Sequence, residues 1–346
     1  MAYSPGLADN IPNIIQSKDA KYIVVDNTKL SAVAECSNKA VLRHVLHLTT
    51  LDDSAALEAG KAFHECLEVW FKGGTKVAAL DRLVHVYQEW AEEHLTSTHR
   101  LWWENVYRIL DVWLTQHPVA SFPFIVPSPE FIEVGFVWPL VEYAGFTVLY
   151  VGRLDGLVRD GDDWWVLEHK STGRIHKQWA EQFLLSSQID AYLWGAQKHL
   201  GDKARVVGVK LNGVELPKLP GSDRACPKHG MKYIDCGPHH AKSVLRSFTR
   251  TQASIDTWER TAIHLAKRFV NLTLRFHKRE RLHNVAMQGA FRSYSCSFCQ
   301  YLDFCSMGRP LNSIDAMLRF DPWVPFDIEA ALAKPKEALT VVPKEK

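Results

Sequence analysis

Apolar positions change their spacing partway along the chain. From Lys29 to about Ser97 they recur every three or four residues, as in AALEAGKAFHECLEVWFKGG (55–74) and KVAALDRLVHVYQEWAEEH (76–94). This spacing predicts amphipathic helices. LWWENVYRILDVWLTQH (101–117) predicts one more, and the proline-rich HPVASFPFIVPSPE closes the helical region. The spacing then drops towards two. EFIEVGFVWPL, FTVLYVGRLDGLVR and WWVLEHKST predict three consecutive strands, ARVVGVKLNGVEL a fourth and AKSVLRSFTRT a fifth, with a short early strand in KYIVVDN. A helix is expected from about Lys177 to Leu200 and a long one from about Ser254 to Arg279, with an irregular loop over 217–240. Strands that meander and then cross over through a helix imply an α/β fold, a mixed central β-sheet flanked by helices. The order suggests an N-terminal helical region (1–125), a sheet-bearing core (126–285), a cysteine segment (286–310) packed on the N-terminal helix, and a tail (311–346) expected to be mobile.

Three charges interrupt this pattern. Asp155, Glu168 and Lys170 stand inside strands whose neighbours, FTVLYVG and WWVL, look buried. Asp160-Gly161-Asp162-Asp163 is a tight-turn sequence. A hairpin with a loop of two residues (161 and 162) or four (160 to 163) pairs positions that sum to 323 and sets Asp155 opposite Glu168, with Lys170 on the same face. Facing acids repel across a ladder. A divalent cation held by oxygen ligands would offset that, and the backbone carbonyl of His169, whose side chain points away, is placed as a further ligand. The set Gly152, Asp155, Glu168, Lys170 suits phosphodiester hydrolysis: two carboxylates hold a metal that acidifies its water, and a lysine orients that water or offsets developing charge.

Other groups gain meaning only in combination. Gln188 and Tyr192 lie four apart on one face of the helix after the hairpin. His64 sits on an amphipathic helix, where a lone histidine is more often structural. CSFCQYLDFC places Cys296, Cys299 and Cys305 at metal-ligand spacing, with Cys36 as the fourth candidate; four thiolates suit an iron–sulfur cluster or tetrahedral zinc. Cys226, His229, Cys236 and His239 form two Cys-x2-His pairs, short in separation for a zinc module. The run from Lys267 to Asn284 is basic enough to track a phosphate backbone, or to be a solvated helix face.

Composition narrows the class. With 346 residues and 47% apolar content the chain is globular, and a net charge of +2 does not by itself point to nucleic acid. No signal peptide or membrane span is visible, so a cytoplasmic protein with no membrane partner is expected, its seven cysteines reduced or bound to metal.

In this combination the chain resembles the RecB-type branch of the PD-(D/E)XK nuclease superfamily, more closely its iron–sulfur exonucleases associated with CRISPR adaptation and their phage-borne relatives. The resemblance covers about residues 28–310. It implies a restriction-endonuclease-like core. It also implies a Mg²⁺ or Mn²⁺ site on His64, Asp155 and Glu168, a catalytic Lys170, and Gln188 and Tyr192 positioning Lys170 or the DNA strand. A 4Fe–4S cluster on Cys36, Cys296, Cys299 and Cys305 would clamp the first helix to the C-terminal part, with zinc as the second option. The implied activity is a DNA exonuclease on single strands or duplex ends, serving recombination, repair, phage replication or CRISPR adaptation alongside proteins of those processes. A non-catalytic DNA-end-binding scaffold is the alternative, and no base-reading element for a sequence-specific endonuclease stands out. The 217–240 insertion and the tail after Pro310 depart from the family pattern without touching the mapped residues.

Overall fold

The structure, a computed structural model, describes residues 14–16, 21–202, 204–216, 226, 229–231, 241–277, 282–287, 295–310 and 314–322. Seven strands make one mixed sheet: β1 (Ile14–Gln16), β2 (Lys21–Val25), β4 (Ile132–Tyr143), β5 (Phe146–Asp160), β6 (Asp163–Thr172), β7 (Val206–Glu215) and β8 (Ser243–Thr249). Their order is β1-β2-β5-β6-β7-β8, with β4 also paired to β5. A separate two-stranded ladder joins β3 (Leu48–Thr50) to β9 (Leu318–Phe320). The helices are α1 (Asn27–Glu35), α2 (Ser37–Ala40), α3 (Ala55–Phe71), α4 (Lys76–His94), α5 (Trp103–Gln116), α6 (Ser187–Leu200), α7 (Gln252–His277), α8 (Leu302–Ser306) and α9 (Ile314–Met317). Among the described residues no helix is long and apolar enough to cross a membrane.

The chain divides into two compact units, and strands β4 and β5 run through both. The first holds residues 1–52, 136–152 and 252–346. In it β2 pairs parallel to the start of β5, and Ala144 (φ 53°) and Gly145 (φ 81°) make the two-residue turn between β4 and β5. Positive φ at both central positions is what a tight I′ hairpin requires. Helix α1 is capped by the Asp26 carboxylate, which accepts from the Lys29 backbone N–H at 2.7 Å.

The second unit holds residues 53–135 and 153–251. Its core is built on the apolar face of α3, Ala59, Ala62, Phe63, Cys66, Leu67 and Phe71, packed with buried residues of α4 and α5 and with Val158, Leu167 and Val214 of the sheet. β5 and β6 are antiparallel, β6 and β7 parallel, β7 and β8 antiparallel. The parallel step crosses through α6, whose residues pack on β6 and β7.

Several expectations are revised. The sequence-order boundaries at 125, 285 and 310 do not follow the two units, because β4 and β5 each pass from one to the other. Helix α6 begins only at Ser187; a 3₁₀ turn (Trp179–Phe183) precedes it, since the serine pair 186–187 favours a cap over a helix interior. The segment expected as a mobile tail includes α9 and β9, the latter paired in register with β3. That ladder is three residues long and joins distant segments, too short to show a period. Residues 311–313 and 323–346 of the tail, Cys236, His239 and part of the basic run after residue 277 lie outside the described residues.

Gly208 on β7 sits where a Cβ would run into the Phe248 carbonyl of β8 and press on the Trp165 ring. Gly208→Ala should therefore lower stability by about 1–3 kcal/mol. A urea midpoint shifted down at unchanged slope would show it; an unshifted midpoint would mean that β8 yields freely.

Candidate active site

All the residues in question on the β5–β6 hairpin, α3 and α6 belong to the second unit. The hairpin forms as its turn chemistry dictates: Asp160 pairs with Asp163, and Gly161 takes φ 63° at the first central position. The register holds down to Gly156–Leu167 and there the ladder ends. Asp155 and Glu168, next in line, are not paired with each other, and Glu168 stays in the ladder with Leu211 of β7. The Asp155 carboxylate accepts the His169 backbone N–H through Oδ2 at 2.6 Å. β6 continues against β7, where His169 is level with Asn212.

Helix α3 brings His64 over this point. Its Nδ1 lies 3.3 Å from Asp155 Oδ1. Burial opposes charge on the imidazole, but the Asp155 carboxylate outweighs it and raises the His64 pKa. Burial likewise resists ionisation of Asp155, yet His64 and the His169 side of the site hold that carboxyl well below the usual range. Glu168 goes the other way. It is 1% exposed, and burial together with the Asp155 charge pushes its pKa up to about 7. One of its oxygens is 2.5 Å from Lys170 Nζ; the other, Oε2, is buried and has no hydrogen-bond partner. Burial works against the Lys170 ammonium, but Glu168 raises its pKa and keeps it charged. From α6, Gln188 Oε1 accepts from Lys170 Nζ at 3.1 Å, and its Nε2 donates to the Tyr192 hydroxyl at 2.9 Å. Arg250 ties this helix down through Asp190 Oδ1 (2.7 Å) and the Phe183 carbonyl (3.0 Å).

The His169 side chain, its ring 6.4 Å from that of His64, reaches Asn212 of β7 and Phe71 of α3. Its Nδ1 accepts from Asn212 Nδ2 at 2.9 Å and its ring lies 4.8 Å from that of Phe71. Burial, above all, lowers its pKa to about 3, so the ring is neutral.

One acid escaped the sequence reading. Glu133, near the start of β4, offers a carboxylate oxygen that, with a nitrogen of His64 and an oxygen of Asp155, forms a group whose atoms all lie within 4.8 Å of one another. Among the described residues this is the tightest cluster of cation-ligating type. Burial, then the Asp155 charge, raises the Glu133 pKa to about 7, and Arg153 only partly offsets this. Glu133 alternates with buried Ile132 and Val134, so in sequence it reads as an ordinary solvent-face residue. The cluster's mixture of one imidazole and hard oxygens, with the orphaned Glu168 oxygen close to the same charges, fits a divalent cation.

The first unit gathers the cysteines. Cys36 closes α1, Cys296 and Cys299 lie in turns, and Cys305 is on α8. All four line one cavity of about 210 Å³ together with Asn38 and Tyr301. Asn38 Nδ2 donates to Cys305 Sγ at 3.3 Å, and Arg309 bonds Asn38 Oδ1 and the carbonyls of Leu282 and Val285. Burial pushes the Cys305 thiol up to about 11 and raises Cys299. Among the described residues no three cysteine sulfurs lie within 4.8 Å of one another. Cys226 is buried, away from this group in sequence and unit, and its backbone N–H bonds the Met231 carbonyl at 2.6 Å.

The family model of the PD-(D/E)XK nuclease superfamily matches residues 27–306. No curated protein matches the sequence. Among solved structures, one similar chain is a candidate exonuclease from Eubacterium rectale: 10% identity, TM-score 0.44, covering 89% of this chain and 92% of that one. Another is a protein named SSO0001: 12% identity, TM-score 0.29, covering 84% and 88%. At these levels neither carries an inference about activity.

Raised acid pKa values have a direct consequence. Glu133 and Glu168 ionise less readily in the fold than in the unfolded chain, so without a cation stability falls as pH rises from about 4.5 through 7. A cation that binds the carboxylates removes the cost. The melting temperature in chelator should fall between pH 5 and pH 8, and the gain from millimolar Mn²⁺ should be larger at pH 8. Differential scanning fluorimetry reads both; a gain independent of pH would take these two carboxyls out of the cation site.

Proposed function

The chain belongs to the PD-(D/E)XK nuclease superfamily, and from that premise we propose that it is a metal-dependent deoxyribonuclease, an exonuclease on single strands or duplex ends that works with Mg²⁺ or Mn²⁺. The observation that carries the reading is the grouping of His64, Glu133 and Asp155, with Glu168 within electrostatic reach of Asp155 and His64, paired to Lys170 and with one oxygen buried and unpartnered. Leaving such an oxygen unsatisfied is expensive, and a cation is what this donor set would satisfy it with.

His64, Glu133, Asp155 and Glu168 are the proposed ligands, with the His169 carbonyl as a further one. The His169 N–H faces Asp155, and in a strand the N–H and C=O of one residue face the same neighbour. A divalent cation bound there would polarise the scissile phosphate and lower the pKa of its water. Lys170 does the rest of the electrostatic work. Held charged beside Glu168 and aimed by Gln188, its ammonium orients the attacking water and offsets charge growing on the phosphate. Tyr192 fixes the Gln188 amide, and the Arg250–Asp190 contact fixes the helix that carries both. A DNA-end-binding scaffold would not need this Asp–Glu–Lys arrangement. Recombination, repair, phage replication or CRISPR adaptation, with the proteins of those processes, is the setting that the family resemblance favours.

For the cysteines the proposal is a 4Fe–4S cluster on Cys36, Cys296, Cys299 and Cys305. Four cysteines lining one cavity suit four-sulfur ligation, by a cluster or by tetrahedral zinc, and the family resemblance favours the cluster. Its role is a clamp that ties residue 36 to the 296–305 segment within the first unit.

Asp155→Ala, Glu168→Ala and Lys170→Ala should each lower cleavage of end-labelled linear DNA by at least about 100-fold while DNA binding survives, because affinity comes mostly from phosphate contacts. Closed circular DNA should resist the wild type, and chelator should stop it. Cleavage at wild-type rates in any of the three variants, or without divalent cations, would sink the assignment.

Anaerobically purified protein should be brown and hold iron and sulfide. Cys36→Ser should lose iron and melt well below the wild type, since closing so long a loop constrains the unfolded chain by roughly 4–5 kcal/mol if the disulfide model transfers. Stoichiometric zinc without iron would replace the cluster with a zinc site, and a Cys36→Ser variant with full metal content would remove Cys36 from it.

A further inference from the structure

Arg153 is a charged group at the site that the reading above leaves without a task. It stands two residues before Asp155 on β5, so the alternation of the strand puts both side chains on one face. Its Nε lies 2.8 Å from Glu133 Oε2. The two partners differ in freedom: the Glu133 side chain is 12% exposed, the Arg153 side chain 60%. Glu133 also has φ 60°, in the left-handed region that a non-glycine residue seldom adopts. Such a conformation persists only where the surroundings over-determine it, and it clusters at functional sites. The carboxylate is thus held in place, and the guanidinium is the partner that can leave.

Glu133 therefore has two competing uses. It completes the group with His64 and Asp155 that could hold a cation, and it pairs with an exposed arginine. Lys170 has no such freedom, being engaged by Glu168 at 2.5 Å and by Gln188 at 3.1 Å. A nucleic-acid strand brings phosphate charge to a place already lined by Glu133, Asp155 and Glu168. A donor released there would meet it, and a guanidinium presents two parallel N–H groups to phosphate oxygens.

We propose that Arg153 is a strand-binding residue gated by the cation site: it pairs with Glu133 in the free protein, and when a cation takes Glu133 it turns to a phosphate of the bound strand. The inference rests on the nuclease reading. It predicts shifts of opposite sign from one substitution. Arg153→Gln in the full chain frees Glu133, so Mn²⁺ should bind about two- to fivefold more tightly without nucleic acid, the size of an exposed ion pair. The same variant loses a phosphate contact. Binding of a single-stranded oligonucleotide with Ca²⁺ in place of the working cation should weaken about tenfold, and its salt slope should fall by about one. A residue that only supports the fold would weaken both.

Isothermal titration with Mn²⁺ and fluorescence anisotropy with the oligonucleotide read the two shifts. In Glu133→Gln/Arg153→Gln the tighter Mn²⁺ binding should vanish, because no carboxylate remains to be released. Unchanged or weaker Mn²⁺ binding in Arg153→Gln overturns the gate, as does wild-type DNA affinity with an unchanged salt slope. A wild type that cleaves DNA alongside either result leaves the nuclease reading standing; a wild type that neither binds nor cleaves DNA brings down both.

Discussion

Three carboxylates held close together in poorly solvated surroundings set the terms for everything around them. Glu133, Asp155 and Glu168 cannot all ionise at ordinary pH without compensation, and their pKa values are driven apart: Asp155 is held charged by His64, while Glu133 and Glu168 are pushed to about 7. Among the described residues each acid has a basic partner: His64 beside Asp155, Arg153 beside Glu133 and Lys170 beside Glu168. Even so, one Glu168 oxygen stays buried and unpartnered. The packing of the second unit is what keeps these groups from moving apart.

That support comes from ordinary packing. The apolar face of α3 fixes the helix against the sheet and leaves His64 on the edge nearest Asp155. The His169 ring is locked by Asn212 and Phe71, which holds its backbone N–H on the Asp155 carboxylate. Arg250, its side chain only 9% exposed, anchors α6 and so keeps Gln188 on Lys170. Each of these contacts lies one step away from the acids, and each removes a way for their mutual repulsion to relax.

The first unit meets a different need with a similar device. Cys36 and the 296–305 segment are far apart in the chain but line one cavity, and Asn38 and Arg309 stitch its wall together. Burial raises the Cys299 and Cys305 thiols and so disfavours charge on them. A bound cluster would convert four weak donors into a covalent clamp, with its effect felt in stability and not in the chemistry of the carboxylates.

Most of what is local was legible in the amino-acid order. The turn residues Asp160–Asp163 set the hairpin register, alternation placed Asp155, Glu168 and Lys170 inside strands, helical spacing put Gln188 beside Tyr192, and the four cysteines singled out together line one cavity. These are properties of neighbouring residues, governed by backbone periodicity and turn chemistry. The ladder's end at Gly156–Leu167, the carboxylate bond to the His169 N–H, the entry of Glu133 and its pairing with Arg153 were decided only by tertiary structure. So were the β3–β9 ladder and the passage of β4 and β5 through both units. A glutamate beside buried residues on a strand has the same local signature whether it faces water or an active site. What separates the two cases is the burial and the charges supplied by segments distant in the chain, and those come from packing.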